Sequence, residues 1–200
     1  MTNYKTIRAF ILSGLLLLLV NSCIKQPIPV YYYTLGDSEL PVTSSNSSLP
    51  TIAVGPVDVA SFLNQGQLIT QNSRYSVTIE EQHRWAGNLK DMLTTVIISN
   101  LRHTLKTEKI HTFPISEKTE HLQLAINFTH FEKDSDGNAL ITAYWKVISE
   151  DGKNILYQKT STLHTTPENN AFVALSKALS IGLSKLSNEI ADRLKILTKA

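Results

Sequence analysis

The fold of this chain is decided by residues 121–163, which read HLQLAINFTHFEKDSDGNALITAYWKVISEDGKNILYQKTSTL. In the first part of this stretch apolar residues occupy every second position: Leu122, Leu124, Ile126 and Phe128. A period of two predicts a strand with one apolar and one polar face. Asp136-Gly137 and Asp151-Gly152 indicate tight turns. The stretch therefore predicts an antiparallel meander of three strands joined by hairpins.

One helical stripe of apolar residues precedes this meander and another follows it. The first stripe predicts a helix from about Glu81 to Leu105, with Trp85 near its N-terminus. The second stripe ends at Leu197. Upstream of it, Thr166-Pro167-Glu168 predicts the start of the helix, because threonine can cap and proline suits the first helical position.

Shorter segments upstream have the composition of strands: residues 31–35, 51–59, 67–70 and 75–80. The second contains Gly55-Pro56, which predicts an edge position or a β-bulge. Residues 71–73 predict the turn between the last two. Together these elements predict an α+β fold, a single domain with a mainly antiparallel sheet and two long helices packed on one face.

The N-terminus has the layout of a bacterial lipoprotein signal peptide. Lys5 and Arg8 precede an apolar run, Ala9 to Val20, and the sequence Asn21-Ser22-Cys23 follows it. The run is too short for a permanent span, which needs about 20 apolar residues. We therefore expect cleavage before Cys23 and acylation of its sulfur. The alternative is a buried or interfacial helix that is never cleaved.

This interpretation divides the chain into residues 1–22, a signal peptide, residues 23–30, a lipidated tether, and residues 31–200, one domain. Within the domain, residues 37–50 are rich in Ser, Asn and Pro, which predicts an exposed polar loop. The 178 residues from 23 to 200 are enough for one hydrophobic core.

Composition narrows the classes of function. Cys23 is the only cysteine, so the mature protein has neither a disulfide nor a thiol for catalysis. Loss of Lys5 and Arg8 leaves 17 basic against 17 acidic residues, a formal charge of zero. This balance argues against a nucleic-acid binder and against a polybasic membrane contact.

Motifs for cofactor or metal chemistry are missing from the sequence. It contains neither the phosphate-binding loop of nucleotide hydrolases nor the dinucleotide fingerprint. None of the six histidines lies three or four residues from another along a predicted helix, which favours surface or hydrogen-bonded histidines over a metal site. We therefore predict no cofactor and no metal.

One segment could suggest catalysis. Gly36-Asp37-Ser38 is similar to the nucleophile block of a class of lipolytic hydrolases. Such an enzyme needs a positioned base for its serine, and in that class an aspartate stands shortly before the catalytic histidine. No aspartate here has a histidine three residues later. A hydrolase with Ser38 as nucleophile therefore remains only an alternative, and the expectation is a protein that is not an enzyme.

Aromatic residues suggest where a partner could bind. Tyr31, Tyr32 and Tyr33 follow the tether directly, and an adjacent triplet on a strand sends at least one ring to each face. We take Tyr31, Tyr32 and Trp85 as candidate partner-binding residues. Core packing is the alternative for Tyr33, and it is the more common reading of an aromatic such as Trp85.

Several short motifs, in this order and spacing, resemble the ABC-type transport auxiliary lipoprotein family, which includes the Pqi-type lipoprotein. The matching segments are Tyr32-Tyr33-Thr34-Leu35, residues 51–57, Phe62-Leu63, residues 67–69, Arg84-Trp85-Ala86 with Leu89, and Asn100-Leu101. The resemblance covers essentially the whole mature chain. The sequence departs from the family pattern at Asn64 and Gln71, where basic residues are common.

The resemblance implies a non-catalytic periplasmic lipoprotein that supports envelope integrity. Its expected partners are a mammalian-cell-entry-domain protein, a permease and an ATPase, which together move lipid between two membranes. The resemblance implies an outer-membrane anchor, and Ile24 agrees because it is not the aspartate of inner-membrane retention. It also allows a homo-oligomer. A structural envelope lipoprotein of another assembly is a further alternative.

Overall fold

A computed structural model of the chain describes residues 27–36, 49–116 and 119–198. The described residues form eight strands, one short 3-10 helix, Ser61–Leu63, and two α-helices. The strands are β1 Tyr31–Tyr33, β2 Thr51–Val59, β3 Gln67–Ser73, β4 Ser76–Trp85, β5 Ile110–Thr112, β6 His121–Lys133, β7 Ala139–Ile148 and β8 Ile155–Thr165. The helices are α1 Leu89–Leu105 and α2 Phe172–Leu197.

All eight strands belong to one mixed sheet, in which β6 is the central strand. On one side β6 pairs antiparallel with β7, which pairs antiparallel with β8. On its other side β6 pairs parallel with β2 along its first half and with β3 at Lys133. Strand β5 extends the sheet beyond β2, while β4 and then β1 extend it beyond β3. The α+β class and the predicted meander of β6, β7 and β8 are confirmed.

Both helices pack on the apolar face of this sheet. Helix α1 contacts β2 and β5, α2 contacts β7 and β8, and the two helices contact each other. The core between them is one continuous cluster, with Leu101, Phe128, Trp145 and Leu183 among its fully buried members. A single cluster of this kind indicates one domain with one core.

The first helix begins eight residues later than predicted. Glu81 to Trp85 form the end of β4, where the Trp85 amide donates to the Gly66 carbonyl oxygen at 2.8 Å. Asn88 caps α1, because its Oδ1 accepts the backbone N–H of Lys90 at 2.9 Å. The helical spacing between Trp85 and Leu89 misled the prediction. Trp85 is the last residue of β4 and Leu89 is the first residue of α1, so their four-residue spacing does not belong to one helix.

The second helix also begins later than predicted. It starts at Phe172 after Ala171, and Thr166-Pro167-Glu168 lie in the preceding connection. The Thr166 hydroxyl donates to Asn138 Oδ1 at 2.9 Å, so it is bound to the β6–β7 turn and does not cap the helix. The capping signal was local, and a tertiary contact overrode it.

Other boundaries differ by a few residues. Strand β1 ends at Tyr33, and residues 71–73 belong to β3, so the predicted turn lies later, at Arg74 and Tyr75. The predicted bulge is present, since the register of β2 on β6 shifts between Val54 and Val57. Strand β2 is not at the edge, because β5 pairs with it over residues 52–54. Strand β5 itself was missed by the sequence analysis.

Candidate partner-binding surface

Strand β1 lies at the edge of the sheet and directly follows the tether. It pairs parallel with β4, with Tyr31 opposite His83 and Tyr33 opposite Trp85. Because side chains alternate along a strand, Tyr31 and Tyr33 share the face that carries His83, and Tyr32 lies on the opposite face. The described chain before β1, residues 27–30, is exposed throughout.

His83 is the centre of an aromatic cluster that joins β1, β4 and α2. The ring of His83 stacks on Phe172, the first residue of α2, with 3.8 Å between the ring centroids. Tyr31 stacks on the same imidazole at 5.5 Å. Such contacts add about 0.5–1.5 kcal/mol to ordinary apolar burial. The cluster therefore attaches the edge strand to the start of the second helix.

A hydrogen bond completes this cluster. The Tyr33 hydroxyl lies 2.7 Å from His83 Nδ1. Burial raises the pKa of the Tyr33 phenol, and the nearby Tyr31 phenol adds to the effect. The hydroxyl therefore keeps its proton over the physiological range and can donate it to Nδ1. This bond orients the imidazole for its two stacking contacts.

Tyr31 and Tyr32, the first two predicted contact residues, are on the surface. Tyr31 is 52% exposed and Tyr32 is 65% exposed. Three further apolar side chains are exposed, Ile28 and Val30 in the chain just before β1 and Val173 next to Phe172. We call these five residues the tether-end patch. Because Tyr31 and Tyr32 lie on opposite faces of β1, the patch offers aromatic and apolar contacts on both sides of this sheet edge.

Trp85, the third predicted contact residue, lies in the core. Its side chain is 5% exposed, and its ring centroid is 5.9 Å from that of Phe131. A partner cannot reach it without opening the sheet. The candidate surface therefore consists of Tyr31 and Tyr32 without Trp85. The core alternative considered for Trp85 is the correct one.

His83 and Phe172, which form the aromatic cluster beneath this surface, were missed by the sequence analysis. They lie 89 positions apart in the sequence, and neither belongs to a recognisable motif. His83 stands two residues before Trp85, so strand alternation could have placed it on the inner face of β4. That inference required the correct strand boundary. Nothing in the sequence indicated that Phe172 would pack on it.

Two sequence-predicted sites, Cys23 and Ser38, lie outside the described residues, as do residues 37–48 of the predicted polar loop. Leu49, next to the last residue of that predicted loop, is buried, so the prediction of an exposed loop is wrong at this position. Among the described residues, no group of three His, Cys, Asp or Glu side chains is placed to hold a metal ion. Within the same residues, neither helix is long and apolar enough to span a bilayer.

Four histidines have hydrogen-bond partners, as the sequence analysis predicted for this residue type. Besides His83, His121 contacts the Thr119 carbonyl oxygen at 2.7 Å. His130 contacts the buried carboxylate of Glu132, also at 2.7 Å. His164 contacts Asp134 at 3.1 Å.

The other face of the sheet carries a shallow concavity of about 370 Å³. Its lining includes Asp58, Asn127, Tyr144 and Lys146. Lys90 forms an ion pair with Asp58 at 2.8 Å, and the Tyr144 hydroxyl donates to Gln158 at 2.7 Å. Asp58 and Tyr144 are therefore already bonded within the protein.

A comparison with family models identifies the group to which this architecture belongs. The model of the ABC-type transport auxiliary lipoprotein component matches residues 33–191. The chain belongs to this family. The match extends from the end of β1 almost to the end of α2, so nearly the whole sheet and both helices of this auxiliary lipoprotein lie within it.

Solved structures show the same fold. An uncharacterized protein is 20% identical, with a TM-score of 0.71, and the match covers 84% of the auxiliary lipoprotein and 99% of that chain. A protein of Xanthomonas campestris is 16% identical, with a TM-score of 0.69, and the match covers 85% and 97% of the two chains. Among curated proteins, none matches this chain. At these identities the likeness establishes the fold of the auxiliary lipoprotein.

Proposed function

We propose that this lipoprotein is a non-catalytic accessory subunit of an ABC-type system that moves lipid between the two membranes of the envelope. The match of residues 33–191 to a transport auxiliary family carries this proposal. In it the protein is acylated at Cys23, sits on the periplasmic side of the outer membrane, and works beside a mammalian-cell-entry-domain protein, a permease and an ATPase.

The tether-end patch supports a role in binding. Tyr31 and Tyr32 are exposed at the edge of the sheet, immediately after the tether. Tyrosine gives a large contact area and loses little conformational entropy on binding, which makes it a frequent anchor at protein interfaces. We propose that these two rings contact the mammalian-cell-entry-domain partner while the lipid holds the subunit at the membrane.

Co-purification of the full-length components tests this function. The lipoprotein is expected to elute together with a mammalian-cell-entry-domain partner from detergent-solubilised membranes. Tyr32→Ser removes an exposed ring at little cost to folding, and we expect it to weaken the complex about tenfold. Tyr144→Ser is the matched control, because it removes a partly exposed tyrosine from β7, which lies on the other side of the central strand β6 from β1.

The two possible failures of this test mean different things. If full-length wild-type protein never associates with such a partner, the proposed function is wrong. If the wild type associates and Tyr32→Ser binds as strongly as Tyr144→Ser, the function stands and the contact lies elsewhere. Thermal melting of both variants verifies that they remain folded.

A further inference from the structure

The β3–β4 hairpin extends beyond the body of the protein as a two-stranded arm. Seven consecutive residues, 72–78, are exposed. Because successive side chains point to opposite faces of a strand, this exposure means that neither face of the arm is covered by described residues. The arm is nevertheless a regular ladder, with Gln71 opposite Val77 and an Asn72–Thr78 side-chain hydrogen bond of 2.8 Å.

The tip of this arm combines an aromatic ring with a positive charge. Tyr75 is 90% exposed, and the Arg74 guanidinium carbon lies 5.9 Å from the centre of its ring. No Asp or Glu occurs between Asp58 and Glu80. The β7–β8 turn, by contrast, carries Glu150 and Asp151. Amphipathic rings and cationic side chains are the residues that proteins place at a membrane–water interface.

The described part of the tether, residues 27–30, enters β1 from the end of the sheet at which the arm lies. Strand β1 is parallel to β4, and Tyr31 pairs with His83. Strand β4 runs from the hairpin tip toward His83. Because β1 is parallel to β4, its first residue is at the end of β1 that is nearer to the tip. Two exposed acids lie toward this end among the described residues. Glu168, just after β8, forms an ion pair with Lys177. Asp136 lies three residues past Lys133, which pairs with Thr70, so it stands closer to the body than the tip does.

The length of the tether matches the length of the arm. Eight residue steps separate Cys23 from Tyr31, which allows a reach of at most roughly 26–29 Å. Eight residues of strand also separate Tyr75 from His83, a distance of about 26 Å. An acyl chain on Cys23 would therefore bring the membrane surface within reach of Tyr75.

From these observations we propose that the β3–β4 tip docks on the lipid surface that holds the anchor. Tyr75 sits among the headgroups and Arg74 bonds their phosphates. The protein is then held at two points, the acyl chain and the hairpin tip, and these fix its orientation on the membrane. This inference rests on the acylation of Cys23 included in the proposed function.

Fluorescence quenching by brominated lipid tests the docking. The acylated full chain is incorporated into vesicles of phosphatidylethanolamine and phosphatidylglycerol whose acyl chains carry bromine near the carbonyl. Tyr75→Trp places a reporter at the tip, and Tyr144→Trp places one on the outer face of the sheet as the control. The native Trp85 and Trp145 are buried and supply a constant background. We expect the added emission of Tyr75→Trp to fall about twofold and that of Tyr144→Trp to stay unchanged.

A charge variant adds a second readout. Arg74→Glu in the Tyr75→Trp protein is expected to abolish most of the quenching in vesicles rich in phosphatidylglycerol. Lys153→Glu makes the same change in the β7–β8 turn at the opposite end of the sheet and is expected to have no effect.

The outcomes separate this inference from the proposed function. If the protein floats with vesicles and Tyr75→Trp is not quenched, the docking is wrong and the anchor remains. Quenching that survives Arg74→Glu would overturn the role of the phosphates. If the wild-type chain does not float with vesicles at all, the proposed acylation of Cys23 is wrong, and the docking proposal is wrong with it.

Discussion

At the scale of single residues, Asp151 is the best example of a side chain that organises its own turn. It accepts hydrogen bonds from the Ser149 hydroxyl and from the Lys153 amide, the latter at 3.0 Å. The Ser149 oxygen also accepts the Asn154 amide at 3.0 Å. The bond from Ser149, followed by that from Lys153, lowers the pKa of the Asp151 carboxyl below its ordinary value of 3.8.

Asp151→Asn should therefore lower the stability of the protein at neutral pH and not in acid. A carboxyl whose pKa is lower in the folded state stabilises the protein above its unfolded pKa. This stabilisation is lost as the pH falls through the folded value. Because the group is exposed, we expect a decrease in Tm of about 1–2 °C at pH 6. As the pH falls from 3.8 through the lower folded pKa of Asp151, the variant and the wild type should converge.

Thermal melting from pH 2.5 to 7 checks this prediction. Glu150→Gln is the control, because it removes the same charge from the neighbouring position of the turn. A constant difference between Asp151→Asn and the wild type across that range would show that the carboxylate charge is unimportant.

At the scale of elements, a glycine decides how closely α2 lies on the sheet. A Cβ atom on Gly182 would stand 2.8 Å from Ile141 Cδ1 and 3.5 Å from Thr165 Oγ1. Ile141 is buried in β7, so its side chain has little space into which to move. The absence of a side chain at position 182 therefore permits the close packing of α2 against β7 and β8.

Gly182→Ala should destabilise the protein although alanine favours a helix by about 1 kcal/mol. We expect the clash with Ile141 to exceed that gain, with a net loss of about 1–2 kcal/mol. In an Ile141→Val background the Cδ1 atom is absent, and the same substitution should become neutral or stabilising. Urea unfolding of the two single variants and the double variant gives the coupling. Equal effects of Gly182→Ala in both backgrounds would refute this account of the packing.

At the scale of the whole molecule, one core connects both halves of the sheet to both helices. Trp85, at the end of β4, is 5% exposed. Trp145, in β7, is fully buried, and its Nε1 donates to Ser161 Oγ at 3.0 Å. Both rings belong to the same cluster of buried residues. A domain organised in this way should unfold cooperatively.

Single-tryptophan variants test this cooperativity. In Trp85→Phe the fluorescence reports on β7, and in Trp145→Phe it reports on β4. Each variant will be less stable than the wild type, but within each one the urea transitions by fluorescence and by far-ultraviolet circular dichroism should coincide. A separate, earlier fluorescence transition in the Trp145→Phe variant would show that the β1–β4–β3 side of the sheet is an independent unit.

The candidate surface shows how far sequence reasoning extends. The triplet Tyr31 to Tyr33 could be chosen from its position after the tether, and alternation along a strand correctly required a ring on each face. The sequence analysis included Trp85 among the candidate partner-binding residues, because the contacts that bury it come from distant parts of the sequence. Its burial depends on Phe131, 46 positions away. His83 and Phe172 were missed for the same reason.

The sequence by itself determined the α+β class, the hairpins of β6, β7 and β8, and the existence of two amphipathic helices, because each depends on a period or a turn within a few neighbouring residues. Only the tertiary structure decided where α1 and α2 begin, that β1 joins β4 and that β2 joins β6 in parallel. Parallel partners are connected by long crossovers and leave no turn signal between them. Their choice follows from burying one shared core, a property of the whole chain that no local segment contains.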